Sequence, residues 1–125
     1  MACNCGCGTD KQRLLYSCSG SANTGYLADQ VWRQLKQKNA GSGTCLAALG
    51  ADLSGFLKSA EAAGENLVLD GCSVGCGKKI FENRGLACRQ IVMTDYGVEK
   101  GKDEITPEII GRVTGEILRT LESCS

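Results

Sequence analysis

Two cysteines four residues apart, Cys72 and Cys76, sit in the segment LVLDGCSVGCGKK between Leu67 and Lys79. A C-x3-C spacing lets two sulfurs reach one soft metal ion, and it is one residue wider than the C-x-x-C of thioredoxin-like redox proteins. The surrounding pattern predicts a short buried strand, Leu67 to Leu69, that stops at Asp70 and Gly71 and turns into a helix capped by Ser73. With that cap, Cys76 falls in the first helical turn as its third residue, where unpaired N–H groups and the positive end of the helix dipole favour a thiolate. Cys72 then lies just outside the helix, free to turn toward the same point.

The 125-residue chain has nine cysteines and no histidine. The missing histidine removes Ser-His-Asp and Cys-His catalysis and every mixed Cys/His metal site. A metal must therefore be held by thiolates, with help at most from Asp or Glu, and such a set selects zinc or an iron–sulfur cluster over magnesium, calcium or manganese. The start, MACNCGCGTDKQR, has no apolar leader and no later run is long enough to span a membrane, so the expected location is cytoplasmic. In that reducing compartment an odd, high cysteine count points to metal or redox work rather than a disulfide framework. Fourteen basic residues balance fourteen acidic ones, which argues against nucleic acid or an anionic membrane as partner. The expected partner is a metal ion, and nothing in the sequence identifies a protein partner.

The elements that must position these thiols follow from the hydrophobic pattern. Residues 1–11, with Cys3, Cys5 and Cys7, carry little that can join a core and read as a flexible cysteine-rich tail, either with incidental thiols or with a second, labile metal or cluster site. RLLYSC predicts a first buried strand with Cys18 at its C-terminal end. Leu27, Val31 and Leu35 recur at helical spacing with Ala28 beside them, and Trp32 reads as packing beside that stripe rather than as a pocket marker. The turn CSGSANT is similar to the phosphate-cradling loop of low-molecular-weight phosphatases. Thr24 stands where their C-x5-R motif needs arginine, so the transferring oxyanion would lack its main stabiliser.

Further on, GSGTCLAAL predicts a weak second strand with two possible spans. If it runs from Ser42 to Leu46, Cys45 lies near its C-terminal end; if it runs from Cys45 to Leu49, that thiol starts at the opposite edge. The metal reading requires the first. Asp52 reads as the cap of a helix whose Leu53, Phe56, Leu57 and Ala60 face the core. After the helix carrying Cys76, which ends near Gly85, QIVMT predicts a fourth strand with Cys88 before it and Asp95 after it. Thr106, Pro107 and Glu108 open a last helix with the stripe Ile110, Val113, Ile117 and Leu121. Its Gly111 and Gly115 each cost about 1 kcal/mol relative to alanine, a cost that close packing against another backbone would offset.

Four alternations of strand and helix, with mostly continuous apolar strands, predict one α/β domain over residues 12–125. Its form is Rossmann-like or flavodoxin-like, about four parallel strands with helices on both faces. A chain of this length buries roughly two thirds of its unfolded surface, enough for a core without staples. Such a sheet gathers the strand-to-helix loops at one edge, bringing together Cys18, Cys72, Cys76, Asp70, Asp95 and, with the first strand option, Cys45.

These residues resemble the DGC domain family, described as zinc-binding and named for the Asp-Gly-Cys found here at Asp70, Gly71 and Cys72. The similarity takes in CSG at Cys18, CLA at Cys45 with GF at Gly55 and Phe56, DGC-x3-C-x-K from Asp70 to Lys78, and TD-x-G-x-EK from Thr94 to Lys100. The resemblance implies a metal-chelating role for Cys18, Cys45, Cys72 and Cys76. The leading expectation is thus a zinc thiolate site at the C-terminal edge of a parallel sheet. Two alternatives stand beside it. One is a thiol/disulfide oxidoreductase or thiol-transfer enzyme using Cys76 with Cys72 or Cys18. The other is an iron–sulfur or metal-delivery protein that adds Cys3, Cys5 and Cys7.

Overall fold

A computed structural model of the chain describes residues 12–123, so the expected tail at 1–11 and the terminal Cys124 lie outside the described residues. In order, the elements are β1 (Arg13–Ser17), α1 (Asn23–Gln37), β2 (Ser42–Gly43), α2 (Leu46–Gly50), α3 (Ser54–Ala62), β3 (Glu65–Asp70), α4 (Cys76–Asn83), β4 (Arg89–Val92) and α5 (Pro107–Ser123). A 3-10 turn at Met93–Tyr96 follows β4. The four strands form one parallel sheet in the order β2-β1-β3-β4, as the continuous apolar runs predict.

Side chains alternate across the sheet because successive residues of a strand point to opposite faces. Leu15, Leu67, Leu69 and Ile91 pack with the buried stripes of α1 and α5, among them Leu27, Val31, Leu35, Val113 and Ile117. Tyr16 and Val68 face the other way, against Leu46 and Leu49 of α2, Ala60 of α3 and Phe81 of α4. Helices therefore cover both faces. Tyr16 meets Phe81 edge to face with ring centroids 5.0 Å apart, and its hydroxyl donates to Asn66 Oδ1 at 3.1 Å. Burial pushes the Tyr16 phenol up to about 12, so it stays a neutral donor inside the core.

Burial outweighs capping in α1. Its N-cap, Ala22, makes no side-chain cap bond, a loss of about 1 kcal/mol. Fully burying Leu27, Val31 and Leu35 stabilises the helix by about 1.5–3 kcal/mol each. Thr106 caps α5 as the sequence predicts, accepting the Ile109 N–H at 3.2 Å through Oγ1.

Four local expectations are corrected. Ser73 does not cap α4: the cap is Gly75 in the left-handed conformation (φ 68°), which makes Cys76 the first helical residue rather than the third. Asp52 does not cap α3, whose N-cap is Leu53; Asp52 itself has φ 63° and accepts from Arg84 Nε at 2.6 Å. In α3 only Ala60 is buried and Leu57 is partly buried against the Tyr16 and Phe81 cluster, while Leu53 and Phe56 are exposed and Phe56 lines a surface cleft instead of the core. Gly111 and Gly115 in α5 meet no second backbone: a Cβ at Gly111 finds nothing within 4 Å and one at Gly115 only Arg119 Nη1 at 3.8 Å.

No described helix is long and apolar enough to cross a membrane.

Candidate functional site

The strand order reverses between β1 and β3, and in open α/β sheets ligands bind outside the C-terminal ends of the strands at such a point. Both strands end there in the residues that the sequence singles out. Cys18 follows β1 directly, and its N–H continues the ladder to Leu69 O at 3.0 Å. Its sulfur accepts the Gly71 N–H at 3.3 Å, which ties the loop after β1 to the loop after β3.

Cys45 lies just past β2, at the N-cap position of α2. The two-residue β2 therefore resolves the boundary in favour of the C-terminal edge, and Leu46 to Leu49 are helical. Cys76 opens α4, and the sulfurs of both Cys45 and Cys76 are on exposed residues. These two thiols and Cys18 line one cleft of about 760 Å³, whose apolar wall includes Trp32, Leu46, Phe56 and Ile80 and whose rim carries Asp29 and Arg33. Trp32 joins the two readings the sequence sets apart: its indole N–H donates to Leu15 O at 2.8 Å, fixing it to the sheet, and its ring lines the cleft.

Asp70, 1% exposed, orients α4. Its carboxylate accepts the N–H groups of Gly77 at 2.8 Å and Lys78 at 3.2 Å, and Gln90 Nε2 at 2.9 Å. It supplies the cap that Ser73 does not, from the end of the neighbouring strand rather than from the adjacent residue. Asp95 is exposed in the 3-10 turn and is not among the cleft residues.

Cys72 differs from the other three. It is not among the residues lining the cleft, and Lys100 Nζ contacts its sulfur at 3.3 Å. The Val74 N–H bonded to that sulfur holds the Cys72 thiol below its ordinary range; partial burial opposes this, and the hydrogen bond and charge of Lys100 reinforce it. Lys100 is held in place from a distance. The Asn23 side chain, at the start of α1, donates to Glu99 O at 3.1 Å and Asp103 O at 2.8 Å and accepts the Gly101 N–H at 2.7 Å. Neither residue has a role that its sequence context announces. Lys100 stands inside the TD-x-G-x-EK motif, which gave a signal without a function, whereas nothing local marks Asn23.

Cys88 precedes β4 at the opposite edge, half-buried against the Tyr16 and Phe81 cluster, and burial raises its thiol. It is a packing residue, as expected.

The donor set fits a thiophilic ion in kind, since three thiols from three loops face one cleft and no imidazole competes. Among the described residues, however, no three Cys, Asp or Glu side chains are grouped closely enough to hold an ion as they stand.

Comparison with known proteins follows the same residues. The DGC domain family model matches residues 14–117, from β1 into α5. The chain is also 26% identical over 92 residues to the anaerobic and virulence modulator AnvM of Pseudomonas aeruginosa, across 73% of this chain and 70% of that protein. No solved structure matches. With the Asp-Gly-Cys at the end of β3 inside a match that spans most of the chain, this protein belongs to the DGC domain family.

Proposed function

We propose that the protein binds a thiophilic metal ion, zinc, through the family's candidate set Cys18, Cys45, Cys72 and Cys76, with the three cleft cysteines as the body of the site. The observation that carries this reading is the shared cleft: Cys18, Cys45 and Cys76 come from three loops and line one wall-to-wall space at the strand ends. Thiolates are the donors that zinc and other soft ions take, and four of them close a tetrahedral structural site. With one position left open, zinc would instead supply Lewis acidity to a bound group. The chain's own contribution is to hold α4 by Asp70, to tie Cys18 to Gly71 and to line the cleft with the apolar side chains of Trp32 and Phe56.

Elemental analysis of reduced protein purified without chelator or affinity metal tests the reading. About one zinc per chain is expected, by stoichiometry with one four-thiolate site. Protein that carries no metal and takes up no added zinc would overturn it. Iron with visible absorbance would favour the cluster alternative.

A second reading, thiol–disulfide exchange, is favoured by the Lys100 contact to Cys72. It moves the attacking thiol from Cys76, where the sequence suggested it, to Cys72. A metal-free protein that forms and loses a disulfide reversibly would support it.

A further inference from the structure

The cleft at the strand ends has a wall that the thiols do not account for. At about 760 Å³ it lies within the range of small-molecule sites, about 300–1,000 Å³. Trp32, Leu46, Phe56 and Ile80 give it an apolar side, and Phe56 keeps 36% of its surface exposed there. Exposed aromatic surface in a concave site favours an apolar guest, because covering it removes apolar area from water.

The rim of that wall is not neutral. Asp29 is the acidic residue of the cleft lining among the described residues, and both its oxygens are engaged: Oδ1 accepts from the Ser19 hydroxyl at 2.9 Å and Oδ2 from Arg33 Nε at 2.8 Å. The two cations beside it are less committed. Arg33 reaches Asp29 through Nε, and among the described residues no hydrogen bond engages its Nη1 or Nη2. Lys36 Nζ lies 4.0 Å from the centroid of the Trp32 ring, and its stem runs along Gly43, where a Cβ would collide with it. Both Trp32 and Gly43 line the cleft, so this ammonium stands at its edge. No carboxylate among the described residues forms an ion pair with it. Two cations thus stand beside one satisfied carboxylate, a surplus of positive charge next to an apolar pocket.

We infer that the cleft binds a small ionised carboxylic acid with an apolar body, its carboxylate on Arg33 and Lys36 and its body against Trp32 and Phe56. The inference goes beyond the metal reading and uses no thiol as a partner. A carboxylate brings acceptors only, which is what the unspent N–H groups of Arg33 and Lys36 take. Its single charge matches the surplus of one cation over Asp29, whereas a phosphate monoester, with about twice that charge, would be left partly unpaired. The Arg33 side chain is 57% exposed, so the cations select the ligand more than they hold it, and apolar burial supplies most of the affinity. Seated there, the acid covers Cys45 and Cys76, which line the cleft, and leaves Cys72 outside.

The test uses the full, reduced chain with hydrocinnamate as probe and hydrocinnamyl alcohol as its uncharged counterpart, read by calorimetry and by the fluorescence of Trp32, the sole tryptophan of the chain. The acid is expected to bind saturably and about fivefold more tightly than the alcohol, the scale of an exposed ion pair, with the advantage shrinking as salt is raised. Arg33→Gln combined with Lys36→Met, which keeps a stem along Trp32, should bring the acid down to the alcohol. The alcohol should bind that variant as it binds wild type, which also shows that the variant is folded. Phe56→Ala, at an exposed position, should weaken both probes several-fold. Timed N-ethylmaleimide labelling of the chelator-treated chain locates the site: saturating acid should slow Cys45 and Cys76 and leave Cys72 at its own rate. Equal binding of acid and alcohol, an acid advantage that survives the double substitution, no heat of binding, or no protection of Cys45 and Cys76 would each overturn the inference. Zinc stoichiometry enters none of these readouts, so the metal reading stands or falls separately.

Discussion

The carboxylate of Asp70 accepts the backbone N–H of Gly77, seven positions further along the chain, at 2.8 Å, and so caps a helix to which it does not belong. The same carboxylate holds Lys78 N–H and Gln90 Nε2. Because the group is buried, removing it strands three donors. Asp70→Ala is expected to lower unfolding free energy by about 2–3 kcal/mol, the scale of a hydrogen-bonded buried charge, as measured by urea denaturation. A loss under about 0.5 kcal/mol, the range of an ordinary surface change, would show that α4 holds its position without the cap.

Cys72 should be the fast thiol of the edge. Since Val74 N–H and Lys100 hold its pKa below the ordinary value, its thiolate persists as pH falls, and alkylation should decline only at a lower pH than for a free cysteine. Lys100→Met removes one of those causes, so the midpoint should rise and the rate at neutral pH should fall a few-fold. Asn23→Ala should act in the same direction, by releasing the loop. Peptide mapping after timed iodoacetamide treatment reads both. An unchanged Cys72 rate in Lys100→Met would exclude the ammonium as a cause.

Cys76→Ser should keep a cooperative thermal transition while losing most of its zinc affinity, since the two core layers close without the cysteine edge and a hydroxyl replaces a thiolate poorly at a soft site. Deleting residues 1–11 should leave both fold and zinc stoichiometry unchanged. Zinc falling to zero in the truncated chain would assign a required ligand to Cys3, Cys5 or Cys7.

Tyr16→Phe keeps the ring against Phe81 but leaves Asn66 Oδ1 without its donor in the core. The expected cost is about 1–3 kcal/mol, that of an unsatisfied buried acceptor. Calorimetry should show a lowered transition with unchanged far-UV dichroism.

Gly111→Ala and Gly115→Ala should each raise stability by up to about 1 kcal/mol, because helix propensity favours alanine and neither added Cβ meets a backbone. Destabilisation at either site would mean that this face of α5 is covered in solution by something as close as a second main chain.

Much of this architecture is legible in the sequence because its signals are local and periodic. The buried stripes of α1 and α5, the Thr106 cap and the apolar strands β1, β3 and β4 each follow from residues within one or two turns of one another. Family membership was legible for the same reason, through short motifs. What was missed depends on distant partners. Ser73 has the right chemistry for a cap, but Asp70 reaches the helix first from the strand end. Leu53 and Phe56 have helical spacing, yet periodicity does not say which residues of a stripe reach the core, and only Leu57 and Ala60 do. The pairing of Lys100 with Cys72 depends on Asn23, whose partners lie 76 to 80 residues away in sequence.

At Gly71 the main chain runs so close to the start of α1 that a Cβ would lie 2.8 Å from Gly25 N and Thr24 C, and a Cβ at Gly25 would lie 2.5 Å from Gly20 O. The turn bearing Cys72 thus packs backbone to backbone on the first turn of α1, and that turn packs in the same way on the loop bearing Cys18. Exposed neighbours such as Ser21, Ser73 and Val74 take no part in that close approach, so their side chains can be exchanged without disturbing it. A protein engineer could treat the edge as a rigid mount with exchangeable trim, in which Gly25 and Gly71 are the positions to leave alone.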